Sequence, residues 1–377
     1  MKPVLGINLL PYYPGGQGGA EVYIRNLVQA LIEFTDVVNV VLFVNQKGAK
    51  VYHPGVEGFS EIVVPGADGG RLRRIFAEQV SLPLHVRRAH VDWLFSNYVV
   101  PVLAPCKQVV NVHDMLYKVH PEWVGEQSKV WYWRAMIPAS LWRVSKVFTV
   151  SESSAADIRR FFPSTRAKTH VTVEGVSRDL LDDVGEVSET QFLKRLGITK
   201  PYVLSAATFG PNKNIARLIE AFKRVRQAGV DAQLVLTGRK ERGGKALDDL
   251  LTKLQLHKHV VFTNFVSASE LAALYRNAHV HVMPSMFEGF GLSVIEAQHF
   301  GCPVACSNVT SLPEVAGPGA ALFDPLDVDD MANVVTRLLK DADERAALRQ
   351  AGFANVQRYT WRQAALDLVA VAVGETR

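Results

Sequence analysis

Three cysteines in 377 residues are too few for a disulfide framework, and an odd count fits a reducing compartment. No apolar stretch approaches the ~20 residues that a bilayer-spanning helix needs. The N-terminus, MKPVLGINLLPYYPGG, has one Lys, a short apolar run and no signal-type cleavage site after it. These absences point to a cytoplasmic protein without a membrane span. Also missing are the G-K-[ST] ending of a P-loop, a G-x-G-x-x-G fingerprint, and any RNP, zinc-finger or helix-turn-helix signature. Nucleotide triphosphate chemistry and a nucleic-acid partner therefore have no direct support, although the net charge is +5.

That positive excess is local. Residues 71–146 hold eleven Lys and Arg against five Asp and Glu, whereas residues 1–70 hold four against six. Two motifs invite a metal. His299, Cys302 and Cys306 have H-x2-C-x3-C spacing, but GCPVACSN reads as a buried strand in which free Cys behaves as a small hydrophobe. The D-x-D at 327–329 lies in DPLDVDDMANVV, where a Pro turn and an acidic first helical turn make it capping and dipole chemistry. No metal ligand set is assigned.

Short β-rich runs alternate with helical patterns: VLGINLL, VVNVVLFVN, EIVVPG, WLFSN, QVVNVHD, KVFTVS and HVTVEG, then again PYVLSAAT, AQLVLTG, HVVFTNF, HVHVMPS, PVACS and AALFDP. Alternation of this kind means βαβ units and parallel sheets. The expected organisation is a first domain over 1–180, a linker within 176–200, a second domain over 198–359, and a final helix over 360–377.

Three stretches carry chemistry. The loop PYYPGGQGGAE (11–21) follows the first strand, and Gly15, Gly16, Gly18 and Gly19 let its amides approach an anion, although a plain turn reads the same way. PNKNIARLIEAF (211–222) puts Lys213 at a helix start, the positive end of the macrodipole, so an anion is expected to answer it. In SMFEGFGLSVIEA (285–297), glycines free the backbone before a helix at 292–300. Glu288 then lies in the loop and Glu296 about one turn in, roughly 80° apart at ~100° per residue. Such a pair grips different parts of one polyhydroxylated ligand; it is not an acid–base dyad.

The order G-G-A-E, H-D at 113–114, K-N at 213–214 and PSMFEGFGLSVIEAQHFGCPVACSNVTSLPEVAG resembles the retaining glycosyltransferases of family 4, and the E-x7-E element is the most specific part. The resemblance runs from first strand to last helix. It implies an α/β GT-B fold: two Rossmann-like domains with parallel sheets facing a central cleft, the C-terminal helix crossing back to the N-terminal domain. The first domain would take the acceptor and the second the nucleotide sugar.

On that resemblance Lys213 faces the donor phosphates, Glu296 holds the ribose, and Glu288 with the amides of Phe290, Gly291 and Leu292 holds the transferred sugar. His113 sits beside the reacting carbon, and Gly18 and Gly19 approach the diphosphate. Two positions depart from the pattern. Asn212 stands where many relatives have Arg, with Arg239 as a candidate substitute, and Ser293 stands where many have Pro. The implied activity is retaining, metal-independent hexosyl transfer without a cofactor, with mannose from GDP-mannose favoured and UDP- or dTDP-sugars, or a degenerate binding scaffold, as alternatives. The acceptor is a glycan, lipid-linked on this reading. Lys129, Arg134, Arg143 and Lys146, interleaved with Trp131, Trp133 and Trp142, make an anionic membrane surface a candidate partner.

Overall fold

The computed structural model describes residues 1–13, 19–182, 188–199, 201–238 and 244–374. Contacts divide the chain into two units, Met1–Glu174 with Thr360–Arg377, and Gly175–Tyr359. In the first, strands β1 (Val4–Asn8), β2 (Asn39–Val44), β3 (Phe59–Val63), β4 (Trp93–Asn97), β5 (Lys107–Asn111), β6 (Lys146–Thr149) and β7 (Thr169–Val171) form one sheet in the order β3-β2-β1-β4-β5-β6-β7. Every pairing is parallel. Buried on both faces, such strands read as continuous apolar runs, which is why NVVLFV and WLFSN stand out.

The second unit repeats the plan with β8 (Tyr202–Ala206), β9 (Gln233–Thr237), β10 (Val260–Asn264), β11 (Val280–Met283), β12 (Val304–Ser307) and β13 (Ala320–Phe323), in the order β10-β9-β8-β11-β12-β13. Cys302 and Cys306 are buried free thiols, pushed up to about 12 by burial. Cys306 lies within β12, among Met283, Val304 and Leu312. Asp327 caps the helix Val328–Lys340 by accepting from the N–H groups of Asp329 and Asp330.

The expected linker is different in kind. Residues 175–200 contribute the helices Arg178–Asp182 and Glu189–Arg195, and Phe192, Leu193 and Ile198 are buried in the second core. Arg276 and Arg195 pair with Glu189 and Glu270 at 2.6 Å each, fastening the segment to the helix Ala268–Asn277. The division therefore falls at Glu174–Gly175, ahead of the expected 180. At the other end, Thr360 caps the helix Trp361–Val373, and Trp361 packs edge-on against Tyr23 with ring centres 5.4 Å apart, returning this helix to the first unit.

One buried acid lies beneath the first sheet's carboxyl edge. A continuous run joins the helix Arg71–Phe76, a π turn at Ala77–Ser81 and the helix Leu82–Arg88. Glu78 on that π turn is 3% exposed and accepts from the Asn8 side chain at 2.9 Å. Burial pushes its carboxyl up to about 7, against the weaker opposing pulls of Asn8 and Arg74. A raised carboxylate pKa means that folding favours the neutral form. Its stabilising effect is full below about pH 4.5 and is lost as pH rises through about 7. Glu78→Gln is expected to raise the melting temperature at pH 8, by an amount corresponding to about 3 kcal/mol, with the gain vanishing near pH 4.5. Thermal melts of both proteins across that range check it, and a gain independent of pH would remove ionisation as the cause.

Candidate active site

In the second unit the chain leaves β11 through Pro284–Gly291 and enters the helix Leu292–His299. Gly291 has φ 111°, and a Cβ there would meet Leu312 Cδ2 at 2.7 Å, so both conformation and space require glycine. Ser311, fully buried, donates to the carbonyls of Glu288 (3.0 Å) and Phe290 (2.8 Å), turning those oxygens inward. Among the described residues, the N–H groups of Phe290, Gly291 and Leu292 find no acceptor. Three amides at a helix start, with the macrodipole behind them, form a cradle for an anion or a hydroxyl oxygen.

Lys213 closes a 3-10 turn at Pro211–Lys213; Asn214 follows with φ 56°, and the helix begins at Ile215. The anion that answers Lys213 comes from the chain itself. Its Nζ lies 2.5 Å from Glu288 Oε1, with both side chains largely buried. Asn212 clasps the same two segments: its side chain donates to Phe287 O at 3.1 Å and its carbonyl accepts from Met286 N at 2.8 Å.

Glu296 is 9% exposed on the Leu292 helix and accepts from Tyr275 OH at 3.1 Å. The Tyr275 ring meets His281 edge-on, and burial drives that histidine down to about 3, so it is neutral. Its Nε2 lies 3.2 Å from Ser293 Oγ. Ser293, at this helix start, therefore gives a polar partner to a buried ring. Arg239 lies outside the described residues.

In the first unit, polar side chains converge at the carboxyl edge of the sheet, where β1 and β4 meet and the strand order reverses. Open α/β sheets bind ligands at such a point. Tyr12 OH accepts from Asn97 at 2.7 Å, Asn97 Oδ1 accepts from Asn111 at 3.1 Å, and the same Asn111 amide donates to His113 Nε2 at 3.1 Å. His113 Nδ1 is 3.2 Å from Glu174 Oε1. A carboxylate only accepts, so the proton sits on Nδ1 and the ring is held in one tautomer. Gly19 begins the helix Gly19–Ala30, whereas Gly15, Gly16 and Gly18 fall outside the described residues.

The basic, aromatic segment divides by role. Trp133 stacks on Tyr98 with centres 5.5 Å apart and belongs to the core, and the Arg143 guanidinium donates to the carbonyls of Val102, Ala104 and Cys106. Lys146 lies 3.2 Å from His170. Trp131 and Trp142 remain exposed, with Arg134 over the Trp131 ring.

Two domain models account for nearly the whole chain: Glycosyltransferase Family 4 matches residues 17–180 and Glycosyl transferases group 1 matches residues 188–354. The chain belongs to glycosyltransferase family 4. It is 28% identical over 277 residues to an Escherichia coli O-antigen chain mannosyltransferase B, covering 73% of this chain and 72% of that one. It is 32% identical over 234 residues to the MMP alpha-(1->4)-mannosyltransferase of Mycolicibacterium hassiacum, covering 61% and 54%. In structure it resembles Anabaena HepE in complex with UDP-glucose, with a TM-score of 0.77 over all of both chains at 18% identity. Its two sheets make the GT-B fold.

Within this family 4 chain the structure brings Lys213 and Glu288 into contact, and places Glu296 and the amides of 290–292 on the adjoining helix start. The residues that sequence reasoning missed are Tyr12, Asn97, Asn111 and Glu174 around His113, and Ser311 under the glycine loop. A signal for two of them existed: strands β4 and β5 each end in Asn, as β1 does.

Because Lys213 and Glu288 satisfy each other, removing either leaves a largely buried charge without its partner. Lys213→Ala is expected to destabilise the ligand-free protein by about 2 kcal/mol, and Glu288→Ala to do likewise. The double variant should lose less than the sum. Denaturant melts of the four proteins give the coupling directly; additive losses would show that the contact contributes nothing to the fold.

Proposed function

We propose that this glycosyltransferase moves mannose from GDP-mannose, with retention at the anomeric carbon and without a metal, onto a lipid-linked glycan of a surface polysaccharide. The observation that carries the reading is the Leu292 helix start, where three amides without acceptors among the described residues adjoin the Lys213–Glu288 pair. A nucleotide-diphosphate sugar offers this site what it lacks: phosphate oxygens for Lys213 and the amides, and hydroxyls for Glu288. Glu296, oriented by Tyr275, holds the ribose.

Cleavage of the donor's glycosidic bond leaves a diphosphate whose negative charge grows in the transition state. A fixed ammonium and a helix start stabilise that charge without reorganising, which is the work a divalent cation performs elsewhere. Arg239 is the candidate second cation. His113, its two nitrogens committed to Glu174 and Asn111, acts as a fixed wall beside the reacting carbon; a mobile acid or base would need a free nitrogen. The mannosyltransferase names of the relatives support the choice of sugar.

The acceptor reading includes peripheral contact with the cytoplasmic face of a membrane. Along the 71–88 helical run, Leu72, Phe76, Val80 and Leu84 are all exposed at intervals of four, Leu72 at 82%. Four residues overshoot an α-helical turn by ~40°. The wider π turn at Ala77–Ser81 reduces that drift and keeps the stripe on one side. Arg73, Arg87 and Arg88 flank it, which suits anionic headgroups. No helix among the described residues is long and apolar enough to cross a membrane.

A donor panel tests the central claim. Incubated with GDP-, UDP-, ADP- and dTDP-sugars, the purified chain should show a thermal shift and slow donor hydrolysis with GDP-mannose alone. Turnover should persist in excess EDTA, and NMR of the product should report the donor's own anomeric configuration. Preference for UDP-glucose, rescue by Mg2+ or an inverted product would each overturn one part of the proposal. For the membrane contact, replacing Leu72 and Phe76 by Ser should lower sedimentation with phosphatidylglycerol vesicles at least fivefold while leaving GDP affinity unchanged. Equal sedimentation would remove the stripe from the contact.

A further inference from the structure

A small cavity of about 160 Å³ opens at the carboxyl edge of the first sheet, beyond the ends of β1, β2 and β3, and its walls include Asn45, Lys47, Asp68, Gly70, Arg71 and Arg74. Three cations face one acid there, and that acid is occupied. Asp68 accepts from the backbone N–H groups of Gln46 (2.8 Å) and Lys47 (3.1 Å), lashing one loop to the next. Arg71 is anchored outward, on Ser128 and Glu126. Lys47 lies exposed over the Tyr13 ring.

Arg74 has no such anchor. Among the described residues its side chain makes no hydrogen bond or ion pair, and its Nε is buried. Glu78, one turn on, is directed to Asn8. A half-buried guanidinium with an unsatisfied donor is costly unless a ligand completes it. Guanidinium and ammonium groups around a cavity of this size match phosphate, which takes charge-assisted hydrogen bonds from both. The Gly69–Gly70 turn brings backbone close without side-chain bulk.

The same helical run carries Arg74 inward and Leu72 and Phe76 outward, so the cationic cavity and the exposed apolar stripe are about one helix width, ~10 Å, apart. We propose that this cavity is an acceptor subsite, in which Arg74 and Lys47 hold a phosphoryl group borne by an apolar chain: the phosphate or diphosphate of a lipid-linked acceptor. The inference rests on the acceptor reading given above and names the group by which that acceptor is held. The site differs from the donor cradle, which is built by the other unit.

Calorimetry with octyl phosphate, inorganic phosphate and GDP on the full chain tests it. The unmodified protein should bind octyl phosphate at least tenfold more tightly than inorganic phosphate. Arg74→Gln and Lys47→Ala should each weaken octyl phosphate at least tenfold and leave GDP within twofold, and Arg74→Lys should recover part of the loss. Lys47 is exposed on a loop, so its variant carries the test should Arg74→Gln fold poorly. Unchanged octyl phosphate affinity in the Lys47 variant would overturn the subsite. A parallel loss of GDP would assign the cavity to the donor diphosphate, and equal binding of inorganic and octyl phosphate would remove the lipid; both outcomes overturn the proposal. Octyl phosphate bound here by a chain that hydrolyses only UDP-glucose would leave this subsite standing and sink GDP-mannose as the donor.

Discussion

A positive charge at the head of a helix must be answered, and in the second unit Glu288 answers Lys213 from 75 residues away. Much of that unit's carboxyl edge depends on this contact. It ties the turn after β8 to the loop after β11, and Asn212 doubles the tie through Phe287 and Met286. With that loop pinned, Ser311 can draw in two of its carbonyls, and the amides of 290–292 are left without acceptors among the described residues. The left-handed Gly291 makes the corner possible. Remove the ion pair and the loop loses one of the three bonds that, among the described residues, hold it to the neighbouring turn.

The same pair fixes how the empty site behaves electrically. Lys213 and Glu288 cancel, so the ligand-free protein holds no bare ammonium at the helix head, and the sequence-level expectation of a waiting cation is replaced by a neutral, preorganised couple. On the donor reading proposed above, a diphosphate that took a share of Lys213 would loosen the hold on Glu288 and leave its carboxylate to accept from sugar hydroxyls. Donor phosphate and donor sugar would in this way be linked through one contact, the transferred group gripped best when the leaving group is also present. Preorganisation of this kind costs nothing at the moment of bond cleavage.

The architecture was legible because parallel strands buried on both faces have no choice but to be apolar, and the thirteen strands of the described residues each overlap a run that stands out in the sequence, with only Phe59, Ser60, Lys107 and Thr169 falling outside. The helices at 178–182 and 189–195 were not legible. They are short, charge-rich and anchored by a few residues such as Phe192 and Leu193, too few to set a helical period. Glu288, Glu296 and Lys213 stood out because glycines and a helix start mark their places. The residues around His113 did not, since Asn97, Asn111 and Glu174 come together only after β4, β5, β6 and β7 have been laid side by side. Arg74 was visible only as one charge among eleven; its lack of a hydrogen-bond partner among the described residues is a property of the fold.

Asn212 shows why a departure from a family pattern need not be a loss. An Arg there would add a second charge for the phosphates, whereas Asn donates to Phe287 O through a short amide and leaves its backbone carbonyl to Met286 N. A long guanidinium stem pointed at a ligand would not close that span. The exchange trades one unit of positive charge for a clasp that holds the remaining cation and Glu288 in register. On the proposed reading, an ammonium already fixed at short range needs no ordering as charge grows on the leaving group. Fewer charges held more firmly also reduce the cost of an empty site, since each unpaired cation near a helix start destabilises the fold that displays it.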